Sequence, residues 1–493
     1  MAPNLAQTGS PSIKSLPEHE ELNKWCSEVL YKIHLDLHTP EWHDSILKDF
    51  DPRQIVSTVA KSGAKVLYFF AKDHYGNAYY NTQIGHKHRC IGSRDLLAET
   101  LAEAKKENIA VVAYYSAIWD NHAAEDHPEW RLKGLPRNAT SPVEPVYPTS
   151  IWKHMCHNTD YLHYACKMLE EITRNYDVNG FHLDMLNMEF GMISCYCDTC
   201  KKLFRERTGQ DLPTRPGEPL WKEFLDFRYE SVNRFGQALR GAVQRIRPGL
   251  FVETNYHGSP SFDWRTGQKP VQHSLYSDLD TGETYTPMLG DMYPGMEARF
   301  VRNLSPGKPF ELVCWRMNRI TDFTTKPINQ LRWEIFTALS HGGITMMIDQ
   351  TFHNGYLDEL PYEMMSKIFR EVDAKERYFF GDPLRHVAIY FSCQSRDLYG
   401  LDKQERFLLP VMGAYKALVE SHLQVDFLFD ETLSDERIRQ FPVVFLPNVA
   451  VMSEEEAQVL RNYVSQGGVL IATFDTSLYS EDGTQLLDFQ LGD

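Results

Sequence analysis

A carboxylate near the middle of this 493-residue sequence stands where it could act as a nucleophile. Asp184 closes a short apolar run that begins at Gly180. It follows His182 by two residues, so in a strand both side chains lie on the same face. A carboxylate at the end of a buried strand can attack an electrophilic carbon and form a covalent intermediate. The same residue could instead cap a helix, and the sequence leaves that alternative open.

A glycosidic bond is the electrophile that suits such a carboxylate, provided that a second carboxyl group lies nearby. The second group is about 5–5.5 Å away in retaining enzymes and about 6.5–9.5 Å away in inverting ones. We expect Glu283 to be the general acid/base, with Glu253 as the alternative. Glu189 is a third candidate, but it lies five residues beyond Asp184, in the loop.

Polar and aromatic residues follow the other apolar runs in the same way. Aromatic rings stack on the apolar face of a sugar, and carboxylates and amides bind its hydroxyl groups, so this set favours a carbohydrate. Any one of these residues could instead be a helix cap or part of a salt bridge. The predicted substrate-binding residues are Asp36, His38, His74, Trp119, His182, Asn255, His257, Trp315, Arg316 and Asp349.

The elements that must position these residues are eight short β-rich runs that alternate with helical patterns between residues 31 and 382. This alternation predicts a (β/α)₈ TIM barrel, whose active site lies at the C-terminal ends of the strands. The predicted strands are Tyr31–Leu37, Ala64–Phe70, Ile109–Ser116, Gly180–Met185, Leu250–Asn255, Ser274–Asp280, Phe310–Trp315 and Ile344–Asp349.

The pattern restarts with shorter units in residues 383–493, after an N-terminal extension (1–30) and the barrel. It predicts a smaller doubly wound α/β domain of the flavodoxin or glutamine-amidotransferase type. No glycine-rich loop follows its first strand, so nucleotide binding is not supported. The chain ends soon after Asp475, close behind a predicted strand, which is consistent with a truncated domain.

Cysteines form a cluster with metal-ligand spacing just after Asp184. Cys195, Cys197 and Cys200 fall within six residues, and Cys156 is the best candidate for a fourth ligand. Four thiolates can hold one tetrahedral Zn²⁺ with no open position, so the predicted role is structural. The alternative is four reduced thiols without a metal. No catalytic cofactor is expected.

Composition excludes several classes of protein. The net charge of −16, without a basic patch, argues against nucleic acid as a partner. No apolar run reaches the roughly 18–20 residues needed to span a bilayer, so no membrane association is expected. Residues 1–21 lack the apolar core of a secretory signal, which predicts a cytoplasmic protein.

Two stretches resemble known families. The segment from Cys156 through Tyr176–Asp184 to Cys200, followed by Phe204 and Gly209, resembles the glycosyl hydrolases related to α-L-fucosidases. The second domain, with Leu446-Pro-Asn448 and Gly467-Gly468, resembles the trimerisation domain of certain β-galactosidases. The resemblance implies a carbohydrate substrate and a homo-oligomer, with a trimer favoured.

The resemblance also bears on the site residues. The α-L-fucosidases use an Asp after the fourth strand as nucleophile, and Asp184 is the matching position. The β-galactosidases use one Glu after the fourth strand and another after the seventh, but the predicted seventh strand here, Phe310–Trp315, is followed by Arg316 and no Glu. Those β-galactosidases also carry a structural zinc, and the cysteines that bind it are spaced like the cluster here.

The leading hypothesis is a retaining glycoside hydrolase that removes a terminal sugar, of the α-L-fucosidase or β-galactosidase kind. One alternative is a metal-dependent amidohydrolase-type barrel, since His34, Asp36 and His38 alternate onto one face. His34 and His38 would lie roughly 13 Å apart in a strand, too far to share an ion. Another alternative is a carbohydrate-binding barrel without catalysis.

Overall fold

The structure, a computed structural model, describes residues 29–136, 144–256, 260, 262–284, 286–318 and 323–492. Eight parallel strands form a closed barrel, in which the first strand pairs with both the second and the eighth. The TIM-barrel prediction is therefore confirmed. The barrel strands are β1 (Tyr31–Asp36), β2 (Val66–Lys72), β3 (Ala110–Ser116), β4 (Gly180–Asp184), β5 (Phe251–Tyr256), β6 (Asp280–Glu283), β7 (Phe310–Trp315) and β8 (Ile344–Gln350).

One principal helix follows each strand. The first begins at the cap Asp51 with Pro at its first position and ends at Gly63, whose φ of 102° favours glycine. The principal helices are α1 (Pro52–Ser62), α2 (Leu96–Lys106), α3 (Tyr161–Asn175), α4 (Trp221–Ile246), α5 (Pro270–Ser274), α6 (Tyr293–Arg302), α7 (Ile328–Ser340) and α8 (Leu360–Asp373). Loop helices cover Asn121–Asp126, Asp198–Thr208 and Thr286–Leu289.

The sixth strand differs from its prediction. The segment predicted as Ser274–Asp280 begins at the last residue of α5, a helix that Pro270 opens, and β6 itself is the polar run Asp280–Glu283. This run forms a strand because β5 and β7 provide backbone partners on both sides. A Cβ on Gly282 would lie 2.8 Å from Glu297 of α6, so glycine lets the helix approach. Glu283, and not Asp280, therefore ends the strand.

The second domain contains a four-stranded parallel sheet with the order β10-β9-β11-β12, which confirms the predicted doubly wound α/β class. Its aromatic residues pack on α6 of the barrel: Phe300 lies 5.0 Å from Phe391 and 4.8 Å from Phe429 between ring centroids. The elements are β9 (Val387–Phe391), β10 (Val425–Phe429), β11 (Val443–Leu446), β12 (Val469–Ala472), α9 (Leu408–Glu420), α10 (Asp435–Ile438) and α11 (Glu454–Ser465).

Loops at the C-terminal end of the barrel carry short strands of their own. Asn77–Ala78 and His86–Lys87 extend the sheet beside β2, and Gly134–Pro136 pairs with Met192–Ser194. These pairings hold the long segments after β2, β3 and β4 over the barrel mouth. Within the described residues, no helix combines the length and the apolar composition that crossing a membrane requires.

Candidate active site

A cavity of about 430 Å³ opens at the C-terminal ends of the barrel strands. Nine of the predicted site residues line it together: Asp36, His38, His74, Trp119, His182, Asp184, Asn255, Glu283 and Trp315. Further lining residues are His34, Tyr114, Trp152, Met185, Phe190, Phe262, Leu289, Val313, Met346 and Ile348. The cavity lining therefore combines ionisable side chains with aromatic and aliphatic ones.

Asp184 ends β4 and is held from several directions. Its Oδ2 accepts a hydrogen bond from the Tyr114 hydroxyl of β3, and its Oδ1 accepts one from Asn255 Nδ2 of β5 at 2.8 Å. His74 Nε2 lies 3.6 Å from Oδ2. Burial, and then the charge of Asp184, raise the pKa of Tyr114 well above its usual value, so its hydroxyl stays a donor. The carboxylate is fixed in position beside the cavity.

Glu283 lies next to Asp184, and the side-chain amide of Asn255 donates a hydrogen bond to each of them. Asn255 Nδ2 is 2.8 Å from Asp184 Oδ1 and 2.5 Å from Glu283 Oε1, so these two oxygens are at most 5.3 Å apart. An ionised carboxylate only accepts hydrogen bonds, so the NH₂ end of Asn255 must face the pair. This upper limit is compatible with the roughly 5–5.5 Å between carboxyl groups in retaining glycosidases and is shorter than the roughly 6.5–9.5 Å typical of inverting ones.

Glu253 lies deeper in the barrel and does not line the cavity. It is fully buried, pairs in register with His182, and binds His182 Nδ1 at 2.5 Å. Burial lowers the pKa of His182, but the hydrogen bond and charge of Glu253 bring it above its usual value. Below them, the buried pair Lys32–Glu311 spans 2.8 Å. Glu253 thus belongs to an internal charge network.

Arg316 and Asp349 are not brought to the cavity either. The guanidinium Nε of Arg316 binds Asp349 Oδ1 at 2.5 Å, and both residues are buried. Trp315 lines the cavity, so alternation along the strand turns Arg316 outward. Ile348 similarly lines the cavity and Asp349 faces the helix layer. His257 lies outside the described residues. Glu189 pairs with His154 at 3.3 Å and does not line the cavity.

Aromatic residues form one wall of the cavity. Trp119 and Trp152 stack at 4.9 Å between ring centroids, and His38 stacks on His74 at 3.6 Å. Burial lowers the pKa of His38, which favours a neutral ring. The sequence prediction missed Trp152, which lies in a loop without a strand pattern. It also missed Tyr114, although Tyr114 lies two residues before the end of β3 and shares the inward face.

The four clustered cysteines are buried together, with their sulfur atoms within 4.8 Å of one another. Cys156 Sγ lies 3.5 Å from the sulfurs of Cys197 and Cys200. Tetrahedral Zn–S bonds of about 2.3 Å require sulfurs roughly 3.8 Å apart, so the cluster fits the ion. The cluster, which Cys195 completes, could hold a structural Zn²⁺.

The cavity has no comparable cluster among the described residues. Groups of three or more His, Cys, Asp or Glu with converging ligand atoms occur in this part of the chain only at the cysteines, at Glu41–His86–His122 and at Cys393–Asp430–Glu431. His34 and Asp36 line the cavity without forming such a group. The geometry therefore gives no support to the amidohydrolase alternative.

Comparison with family models finds a match in each half of the chain. Residues 51–185 match the family described as hypothetical glycosyl hydrolase 6. Residues 386–493 match the β-galactosidase trimerisation domain. The chain is therefore related to glycoside hydrolases, and the resemblance predicted from its sequence is confirmed.

Individual relatives are β-galactosidases. β-Galactosidase BgaP of Planococcus sp. (strain L4) is 25% identical over 272 residues, which are 49% of this chain and 38% of the relative. β-Galactosidase BgaB of Geobacillus sp. (strain Y412MC61) is 22% identical over 421 residues, 72% of this chain and 60% of the relative. The chain thus spans between 38% and 60% of the length of these two relatives.

Solved structures share the fold. α-L-Fucosidase isoenzyme 2 from Paenibacillus thiaminolyticus superposes with a TM-score of 0.73 at 22% identity, covering 90% of this chain and 64% of that chain. A β-galactosidase from the haloarchaeon Halorubrum lacusprofundi gives 0.70 at 16% identity, covering 94% and 75%. At these identities the likeness establishes the architecture of barrel and second domain.

Glu253 and Glu283 have different surroundings, so replacing each of them by Gln should change the stability of the protein by different amounts. Glu253→Gln should lower the free energy of unfolding by about 3 kcal/mol, because it breaks a buried charged pair with His182. Glu283→Gln should change it by less than about 1 kcal/mol, or increase it, because Glu283 lies beside another carboxylate. Urea unfolding of the two variants measures both values. Equal losses would contradict the placement of Glu253 inside the barrel.

Proposed function

We propose that this protein is a retaining glycoside hydrolase with Asp184 as nucleophile and Glu283 as general acid/base. The observation that carries the proposal is the pair of carboxyl groups bound to one Asn255 amide, with oxygens at most 5.3 Å apart given contacts of 2.8 and 2.5 Å. Carboxyl groups this close favour retention over inversion, which needs room for a water molecule between them. The relationship to glycosyl hydrolases supports the same class.

The proposed reaction has two steps. In the first, Asp184 attacks the anomeric carbon while Glu283 protonates the oxygen of the departing group. In the second, Glu283 takes a proton from water, whose oxygen attacks the anomeric carbon and releases Asp184. Because two negative charges at this distance repel, the pair holds one proton at the start. Both carboxyl groups accept from Asn255, but Asp184 also accepts from the Tyr114 hydroxyl, which favours the ionised form of Asp184 and leaves the proton on Glu283.

The cavity favours a deoxy sugar over one with a full set of hydroxyl groups. Val313, Met346 and Ile348 give it an aliphatic surface, and Trp315 adds an aromatic face. A methyl group can rest on this surface, whereas a hydroxymethyl group there would lose its hydrogen bonds to water. We therefore propose an α-L-fucoside-like substrate before a β-galactoside, and removal of a terminal residue from a glycoside or oligosaccharide.

Replacement of the two carboxylates tests their roles. Asp184→Asn should lower turnover by more than about 1,000-fold, since it removes the nucleophile. Glu283→Ala should spare aryl glycosides with good leaving groups and be rescued by azide, because an acid is needed only for poor leaving groups. Nitrophenyl fucosides and galactosides serve as substrates, with product anomers followed by NMR.

Trp42→Ala is the matched control, because this side chain is 81% exposed and does not line the cavity. Near-normal turnover by a folded Asp184→Asn variant would remove Asp184 from the mechanism. Binding of fucose without hydrolysis of any glycoside would instead favour the non-catalytic barrel.

We also propose that Cys156, Cys195, Cys197 and Cys200 bind a structural Zn²⁺, which would hold the loop after β4 against the loop after β3. Metal analysis of the purified chain should find zinc, and Cys197→Ser should reduce it by one ion per chain. The variant should unfold at lower urea concentration, because the metal contributes to folding. Unchanged zinc content in Cys197→Ser would contradict the assignment.

The match to a trimerisation domain suggests a homo-oligomer, and we propose a trimer assembled partly through residues 383–493. Light scattering after size exclusion should give three times the chain mass of 57.1 kDa. The charge of −16 opposes association, but salt screens it over about 8 Å. A mass of one chain at micromolar concentration, unchanged at higher salt, would contradict it.

The cytoplasmic location stays a prediction.

A further inference from the structure

A second group of ionisable side chains lies at the barrel mouth, outside the cavity. Glu41 comes from the loop after β1, His86 from the loop after β2 and His122 from the loop helix Asn121–Asp126 after β3. His86 Nε2 is 3.1 Å from both carboxylate oxygens of Glu41, and His122 Nε2 is 3.9 Å from Oε2. The imidazole rings of His86 and His122 stack at 3.5 Å between centroids. Three separate loops thus converge on one carboxylate.

We propose that Glu41, His86 and His122 form a second metal site, which binds a divalent first-row cation of the Zn²⁺ type. One ligand atom from each residue lies within 4.8 Å of the others. Two imidazoles and one carboxylate are a common ligand set for zinc, and water completes the coordination. The side chains are 17%, 38% and 25% exposed for Glu41, His86 and His122, so an ion can reach them.

Asn77 provides a further oxygen at the same place. Its Oδ1 lies 2.9 Å from His122 Nε2. Its Nδ2 donates to Asp73 Oδ2 and to the Thr39 carbonyl, each at 3.1 Å, which fixes the orientation of the amide. The carbonyl oxygen therefore faces the cluster and orients the His122 ring. A metal ion bound at Nε2 would replace the proton of this contact, and the Asn77 oxygen would lie beside the ion.

A nearby histidine is excluded as a ligand by its hydrogen bonds. His88 Nδ1 lies 3.7 Å from Glu41 Oε1. It accepts a hydrogen bond from the Cys90 amide at 3.1 Å, and Nε2 is 3.1 Å from the Thr39 carbonyl. Both ring nitrogens are therefore engaged, and His88 serves to support the loop. The proposed ligand set is limited to the other two histidines.

The charges around the cluster favour a cation. Asp126 acts on His86 and Glu125 acts on His122, and Asp120 acts on both although it is paired with the buried Lys72 at 3.1 Å. The guanidinium of Arg89 is paired with Asp44 at 2.8 Å and donates to the Glu41 carbonyl at 2.6 Å, while the Arg89 backbone amide donates to Glu41 Oε1. Without a metal, the cluster would be an ion pair between a protonated His86 and Glu41. A divalent ion replaces that proton and binds the second imidazole as well.

Bound metal would act on the rim of the cavity through the same loops. His38 lies three residues before Glu41, and Trp119 lies three residues before His122. His74 belongs to the loop that carries His86. An ion that joins the three loops would hold these cavity-lining residues in one arrangement. The proposed metal site would therefore position these cavity-lining residues without contacting Asp184 or Glu283.

Metal uptake by matched variants tests the proposal. The untagged 493-residue chain, His86→Ala, His122→Ala and the control His43→Ala are dialysed against micromolar free Zn²⁺, and zinc per chain is measured. His43 is an exposed neighbour of Glu41 that binds Ser45 at 2.9 Å. The unsubstituted chain and the control should hold one more zinc than each variant. This difference is independent of whether the four cysteines are occupied.

Calorimetric titration gives the affinity as a second measurement. Loss of either histidine should weaken zinc binding by more than the roughly 10–100-fold that loss of an outer partner of a ligand costs. Circular dichroism verifies that the variants are folded, and two substitutions in different loops guard against one misfolded variant. Equal zinc content and affinity in all four proteins would overturn the site and leave the ion pair of His86 and Glu41 as its explanation.

Discussion

A single side-chain amide determines the geometry on which the rest of the site depends. Asn255 reaches Asp184 of β4 and Glu283 of β6 from the strand between them. Its two hydrogens hold two carboxyl groups that would otherwise repel each other. The closed barrel makes this arrangement possible, because it fixes three neighbouring strand ends in register. The polar run of β6 places a carboxylate within reach of Asn255.

Beneath this layer, the barrel interior carries charges of its own. Lys32 is paired with Glu311 and His182 with Glu253, and all four residues are buried. Burial, and then the charge of Glu253, raise the pKa of Glu311 to about 7. Such a network is costly to desolvate and is maintained only by mutual pairing. It supports the floor of the cavity from below. The aromatic wall and the loop contacts define the cavity from the side.

The sequence predicted the architecture well because alternation of strands and helices is a local signal. It also predicted that Asp184 lies at the end of its strand and that four cysteines cluster. Three of these cysteines fall within six residues, whereas Cys156 joins them through the fold. It ranked Glu283 before Glu253 but left both as candidates, since burial depth is decided by barrel packing. The inward or outward direction of Arg316 depends on the exact register of β7. Trp152 reaches the cavity through a loop fold that no periodicity reveals, and the polar β6 lacks the apolar residues that usually mark a strand.

The aromatic contact between α6 and the second sheet has a consequence for dissecting the chain into fragments. Phe300 is completely buried and meets Phe391, Phe427 and Phe429 of the second domain at 4.8–5.3 Å between centroids. A fragment that ends before β9 would leave this ring in water, together with the apolar residues around it. The barrel and the second domain therefore share part of one hydrophobic core, and a cut in the chain between them would divide that core.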